Sequence, residues 1–270
     1  MTSGESFYKR ALLCPPEHFA VEYKINNWMG GTVDKAVAMV QWEGLKKALE
    51  AYGVRCDVIP QVPGLPDMVF VCNSGLAYNG KVYLASFRHP QRQGERQHYE
   101  RWYKEQGFEL YGDGSLFFEG GGDAVFSDPQ TLWAGYGQRS QIEVYDEIEK
   151  MTKGRVTIHR LPLVHPDFYH LDTCFFPIGS SMAVVYEPAF NQDSIKLLES
   201  KFELIRVSKE EAEKFVCNGL SVGAQQVILP AHCDQTAQLL RSRDIHVTLV
   251  EMEEFMKSGG AAQCLVMKLW

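Results

Sequence analysis

The sequence predicts an α/β chain of five ββαβ units set around a centre with fivefold pseudosymmetry. Three observations carry this expectation. An amphipathic helix, a glycine or charged turn and a strand rich in β-branched residues follow one another five times. The strands of these pairs start about 45–55 residues apart, the spacing at which a repeat architecture is to be considered. Hairpin signals lie between the pairs, and radial repetition is one way to protect sheet edges.

Taken in order, helix 35–52 passes through Gly53 into strand 54–60, and helix 93–106 through Gly107 into 108–111. Helix 141–153 passes through Gly154 into 156–161, helix 192–200 leads to 202–207, and helix 233–243 leads to 245–250. The hairpin segments are 68–72 with 81–87, 123–126 with 131–135, and 173–177 with 182–186. Asn79-Gly80 in the first of these is a strong turn dipeptide. At the end of the chain Gly259-Gly260-Ala261-Ala262 leaves a bare backbone before Cys264. Cys264 is expected to open an apolar strand that runs to Trp270 and closes the ring against residues 10–14. Neither a linker nor a low-complexity tract divides residues 1–270, so one domain is expected.

With 45% apolar and 12% aromatic residues the chain can bury a large core. The net charge is −7 and the basic residues are scattered singly, which argues against nucleic acid or an anionic membrane as partner. No signal peptide is read in MTSGESFYKR and nowhere do 18 apolar residues run together, so a cytoplasmic protein is expected. The seven cysteines are odd in number, widely spaced and lack a C-x-x-C pair. They read as reduced thiols, with neither a disulfide framework nor a zinc site. Small-molecule chemistry is the natural function class.

Four residues stand out as candidates for that chemistry. A lone Cys beside Leu and Val is usually a small buried hydrophobe, but a Gly-Gly bend can also hold a thiol at the rim of a pocket. Glu119 opens the turn Glu119-Gly120-Gly121-Gly122-Asp123, and His170 precedes a strand. A ring places its loop ends around a central hole, where Asn73, Glu119, His170 and Cys264 are expected to converge.

FEGGGD at 118–123, YHLDTCF at 169–175 and SGGAAQC at 258–264 carry a resemblance, joined by PPEHFAVEYKINNWM at 15–29. Together they resemble the guanidino-group-modifying superfamily (amidinotransferases, or penteins), in motif order from about residue 13 to residue 266. Its members include arginine deiminase, dimethylarginine dimethylaminohydrolase and arginine dihydrolase. The resemblance implies a five-bladed α/β pentein propeller and a hydrolase that needs neither cofactor nor metal. It implies Cys264 as the nucleophile, His170 as acid then base, and Glu119 as the residue that orients the imidazole. A thiol needs a cationic neighbour to ionise at neutral pH, and imidazole titrates in the range both proton steps require.

The substrate-holding positions follow from the same resemblance. Asp67 would receive an α-ammonium, and Arg88 with Arg139 an α-carboxylate, which a guanidinium fork matches bidentately. Asp172 would grip the far side of the guanidinium, sharing a face with His170 if residues 170–172 are extended. Asn26 is either a contact to the guanidine end or a turn residue. Asn73 stands where deiminases carry Asp, and an amide that can flip could hold both a guanidinium and a neutral urea. This favours an arginine dihydrolase that takes L-arginine to ornithine, carbon dioxide and two ammonia molecules. The alternatives are a deiminase that stops at citrulline and a dimethylarginine dimethylaminohydrolase. From another class, the same fold serves as a ribosome-binding factor, which would leave Cys264, His170 and Glu119 unexplained. The sequence leaves open whether the chain forms a homo-oligomer.

Overall fold

Each unit is built from two local devices, a tight hairpin and a helical crossover. In the computed structural model, which describes residues 8–223 and 225–269, Asn79 (φ 47°) and Gly80 (φ 74°) both adopt left-handed backbone. A two-residue hairpin needs that geometry, and here it joins strands Gly75–Tyr78 and Lys81–Leu84. Helix Lys35–Ala51 starts where the Asp34 carboxylate accepts from the N–H groups of Ala36 and Val37, at 3.0 and 3.1 Å. It buries Ala38, Gln41, Trp42, Leu45 and Leu49, one stripe at helical spacing. Such a helix spans the sheet and returns the chain for a parallel strand.

Repeated, these devices give five three-stranded sheets. Strand Arg10–Leu13 lies between Met267–Leu269, antiparallel to it, and Arg55–Val58, parallel to it. The same antiparallel-then-parallel order holds for Gly75–Tyr78, Lys81–Leu84 and Glu109–Tyr111, and for Ala124–Asp128, Thr131–Tyr136 and Thr157–Pro162. It holds again for Phe175–Ile178, Met182–Val185 and Glu203–Arg206, and for Leu220–Gly223, Gln226–Pro230 and His246–Val250. The first strand of each sheet packs towards its counterparts in neighbouring sheets, while the third lies outermost. Burial follows: Gly75–Tyr78, Phe175–Ile178 and Leu220–Gly223 are buried throughout, whereas Arg55–Val58 and Glu203–Arg206 are largely open. This is the predicted propeller, closed by pairing the two ends of the chain.

Several boundaries differ from those expected. Residues 68–72 form no strand; they lie in two 3-10 turns, Pro66–Val69 and Val71–Ser74. A short apolar run does not distinguish a buried strand from a buried turn. Helix 93–106 is two pieces, Pro90–Gln93 and Arg96–Glu105, because Pro90 starts the first and Arg92 and Glu95 turn inward at the break. Cys264 opens no strand: it sits in the 3-10 turn Gln263–Leu265, and pairing begins at Met267. Trp270, its expected end, lies outside the described residues, as does most of MTSGESFYKR. Residues 171–173 are a 3-10 turn and not extended, so the expected shared face of His170 and Asp172 arises differently. No helix among the described residues is long and apolar enough to cross a membrane.

Packing between sheets depends on large rings. Trp133 is fully buried on strand Thr131–Tyr136, stacked on His159 at 4.5 Å and meeting Phe175 and Phe202 of the next sheet at 5.6 and 5.1 Å. Trp133→Ala is expected to lower the unfolding free energy by about 3–5 kcal/mol, the cost of truncating a buried aromatic. Urea denaturation measures this, and a loss below about 1 kcal/mol would remove the inter-sheet role.

Candidate active site

Every innermost strand is entered through a short 3-10 turn. The five turns are Val71–Ser74, Gly120–Gly122, Leu171–Thr173, Val216–Asn218 and Gln263–Leu265. Because their strands share one centre, the turns meet there. Each brings a polar side chain from within the turn or from the residue before it: Asn73, Glu119, His170 with Asp172, Asn218 and Cys264. All are buried. The structure therefore brings together the four residues expected to converge, with Asn218 as a fifth that sequence reasoning missed.

Glu119 is the hub. Its Oε2 accepts from His170 Nε2 and from Arg139 Nη1, each at 2.8 Å, and its Oε1 accepts from the Arg88 backbone N–H at 3.2 Å. Its own N–H donates to Ser140 Oγ at 3.0 Å, and its carbonyl accepts from Asn73 Nδ2 at 3.1 Å. Burial alone would raise this carboxyl, but Arg139 and His170 beside it hold it far below the ordinary range. An ionised carboxylate only accepts, so Nε2 carries the hydrogen. That leaves Nδ1, which is buried without a hydrogen-bond partner among the described residues, as the free ring position. Gly122 is required beside it: a Cβ there would lie 2.9 Å from Nδ1 and 2.6 Å from Asn73 Nδ2. Asp123, closing the same glycine turn, accepts from the Leu171 N–H at 3.2 Å and from Ser140 Oγ at 2.6 Å, which fixes the histidine turn to its neighbour.

Cys264 Sγ lies 3.3 Å from Asp172 Oδ2 and 3.1 Å from Asn218 Nδ2, and the Cys72 thiol close by donates to Asp172 Oδ2 at 3.9 Å. Burial would raise the thiol, yet Cys72, His170, Asn218 and Asp172 outweigh it and bring its pKa down to about 6. Asp172 moves the opposite way, pushed well above the carboxylate range by burial and then by Cys264. The two groups, 3.3 Å apart, thus shift in opposite directions. Cys72, Asp172 and Cys264 also present ligand atoms within 4.8 Å of one another, as do His232, Glu251 and Glu253 on the surface, so either trio could hold a cation. Neither grouping has a readable spacing in the sequence.

A narrow cleft leads to the thiol. Asp67, Asn73, Arg92, Arg139 and Ser258 give it polar walls, and Phe70 and Met29 apolar ones. Asp67 accepts from Tyr23 Oη at 2.9 Å and Ser258 Oγ at 3.0 Å. Asn26 makes a turn, its Oδ1 accepting from the N–H groups of Trp28 and Met29 at 2.9 and 3.1 Å, and it lines the cavity as well. Arg139 spans the cavity and its mouth, stacked 4.6 Å over the Tyr169 ring. Arg88 lines neither: it is exposed, with its guanidinium 5.8 Å from the Phe117 ring centre.

A second arginine lines the inner cavity, Arg92, which sequence reasoning missed. It is paired to Glu95 at 2.8 and 2.9 Å and donates from Nη1 to Asn73 Oδ1 at 2.8 Å. This corrects the expected freedom of Asn73. With Oδ1 held by a guanidinium and Nδ2 by the Glu119 carbonyl, a flip would set an NH₂ against a cation and an oxygen against an oxygen. The amide is locked.

Comparison with known proteins places the chain in a family. The family described as N,N dimethylarginine dimethylhydrolase, eukaryotic, matches residues 17–270. The bifunctional arginine dihydrolase/ornithine cyclodeaminase ArgZ of Synechocystis is 36% identical over 268 residues, covering 96% of this chain and 37% of that protein. The N(G),N(G)-dimethylarginine dimethylaminohydrolase of Mycobacterium tuberculosis is 33% identical over 264 residues, covering 97% of this chain and 86% of its own. The crystal structure of the N-terminal domain of ArgZ bound to product superposes with a TM-score of 0.91 at 35% identity, covering 97% of each chain.

A thiol with a pKa of about 6 is mostly ionised at neutral pH and loses its charge as pH falls through that value. Labelling of Cys264 by iodoacetamide, followed by peptide mass mapping, is expected to rise with a midpoint near pH 6. A midpoint at the ordinary thiol value of about 8.5 would contradict the lowered pKa.

Proposed function

Since the chain belongs to the N,N-dimethylarginine dimethylhydrolase family of guanidino-hydrolysing enzymes, we propose that it hydrolyses L-arginine in two cycles, through citrulline to ornithine. In this reading residues 1–270 act as one domain, and Asp67 receives the α-ammonium. Arg139 receives the α-carboxylate: two of its five N–H groups are engaged, by Glu119 and by the Ile25 carbonyl, leaving the others for a ligand. Arg92, with one N–H to spare, assists it and holds Asn73.

In the first cycle the Cys264 thiolate adds to the guanidinium carbon, and His170, entering the cycle as imidazolium with Nε2–H held by Glu119, gives its Nδ1 proton to the departing nitrogen, which leaves as ammonia. Imidazole then takes a proton from water, whose oxygen attacks the amidino carbon; the C–S bond breaks and citrulline forms. In the second cycle the thiolate adds to the urea carbon and a second ammonia leaves. Water then releases ornithine carbamate, which loses carbon dioxide. Glu119 stays ionised throughout and stabilises the imidazolium that is spent in the first half of each cycle and forms again in the second.

The observation that carries the second cycle is the locked amide of Asn73. One Nδ2 hydrogen goes to the Glu119 carbonyl and the other remains for a ligand, so the position offers a donor to a urea oxygen. A carboxylate would meet that oxygen lone pair to lone pair. A methylated guanidine is the second reading, favoured by the family match and the M. tuberculosis relative.

Ammonia, citrulline, ornithine and methylamines measured together over time distinguish these readings. Two ammonia per arginine with ornithine is the expected result; accumulation of citrulline from arginine, or preferential release of dimethylamine from dimethylarginine, would replace it. Asn73→Asp is expected to bring ammonia per arginine from about two towards one, with citrulline released, because the donor to the urea is lost. Cys264→Ser should lower turnover by about a thousandfold or more with the fold retained. Arg139→Lys should raise KM and lower kcat/KM by about 2–4 kcal/mol equivalent, and unchanged values would remove Arg139 from the carboxylate site.

A further inference from the structure

The turn Val216–Asn218 contributes to the centre a residue that the proposed reaction has not used. Asn218 is fully buried, and its Oδ1 accepts from the N–H groups of Ala261 and Cys264 at 2.9 and 3.2 Å. Two backbone donors on Oδ1 fix the amide, so Nδ2 must point the other way. It donates to Cys264 Sγ at 3.1 Å and to the Asp172 carbonyl at 3.1 Å. One side chain thus ties the nucleophile's turn to the turn that follows His170.

We infer that Asn218 is the positioning residue of the nucleophile: it sets the Cys264 turn and donates to Sγ, so that the thiolate is in place and charged before a substrate arrives. The inference rests on the reading of Cys264 as nucleophile, and not on which guanidine is hydrolysed. The other neighbours of Sγ cannot take this part. Cys72 and Asp172 donate only while protonated, and each loses that capacity as pH rises, whereas an amide donates at every pH. A lysine in the same place would stabilise the anion but would also repel a guanidinium. A neutral donor does the first without the second. Its bond to the Asp172 carbonyl adds a distance constraint, since the acid/base and the nucleophile then share one rigid link across two sheets.

Two variants test it, with Cys264 labelling by iodoacetamide against pH as a readout that involves no substrate. Asn218→Asp keeps an oxygen for the Ala261 and Cys264 N–H groups but turns a second oxygen towards Sγ. Asn218→Ala removes both halves. In each the labelling midpoint is expected to rise by more than about one pH unit, so that labelling at pH 6 slows about fivefold or more. With arginine, kcat should fall while KM changes little. A purely structural role would lower thermal stability in Asn218→Ala and leave the midpoint of Asn218→Asp at the wild-type value, and that result overturns the inference. If Asn218→Ala does not fold, Asn218→Asp decides alone. Wild-type labelling near pH 6 without arginine turnover would reject the substrate reading only; a wild-type Cys264 that resists labelling would reject both.

Discussion

A carboxylate buried at the centre of the ring, Glu119, sets the terms for everything around it. A charge removed from water must be paired and fully hydrogen-bonded or it neutralises. Here the partners come from separate stretches of chain: His170 before the innermost strand of another sheet, Arg139 after the middle strand of Glu119's own sheet, and the backbone of Arg88. None of these is local in sequence. The five-sheet ring is a solution to that problem, because it aims five equivalent turns at one point and lets each contribute one or two groups. The glycines of the Glu119 turn belong to the same solution: a Cβ on Gly120 would lie 2.6 Å from the Cys72 carbonyl oxygen, so the neighbouring turns could not approach. Backbone contact, and not side-chain bulk, holds the centre together.

The repeat was legible because helices and strands obey different hydrophobic periods, and because Asn79-Gly80 announces its own turn. What period alone could not decide was the run 68–72, whose apolar residues serve a buried turn as well as a strand. In the site, Glu119, His170 and Cys264 stood out through motif resemblance, whereas Asn218 lies in Cys217-Asn218-Gly219 with no chemistry-bearing neighbour to draw attention. Its signal was positional. Once four turns before innermost strands each carried a polar residue, the fifth unit should have carried one too, and the hairpin it precedes went unread. Arg88 and Arg92 differ for another reason: both lie close to the same turn, and only the break after Gln93 directs the second inward. The fixed orientation of Asn73 was illegible for the same cause, since its partner was the arginine not identified. Side-chain direction is a tertiary property, and sequence spacing carries little of it.

The electrostatics of the thiol bear on the proposed two-cycle reaction more than on any single step. A guanidinium is a cation, and its arrival would help any nearby thiol to ionise, so an enzyme acting once on arginine can draw part of its nucleophile's charge from the substrate. Citrulline brings no charge. For a second cycle on the same site the protein itself must hold sulfur as an anion against the cost of burial. The observed surroundings have that character: the pKa is brought to about 6 by groups that belong to the protein, Cys72, His170, Asn218 and Asp172. Asn73 follows the same logic at the other end of the reacting group, presenting an amide hydrogen where a carboxylate would favour only the charged form. Neutral donors at both ends make a site whose readiness does not depend on the charge of its ligand, which is the physical requirement for turning over a cation and then its neutral product.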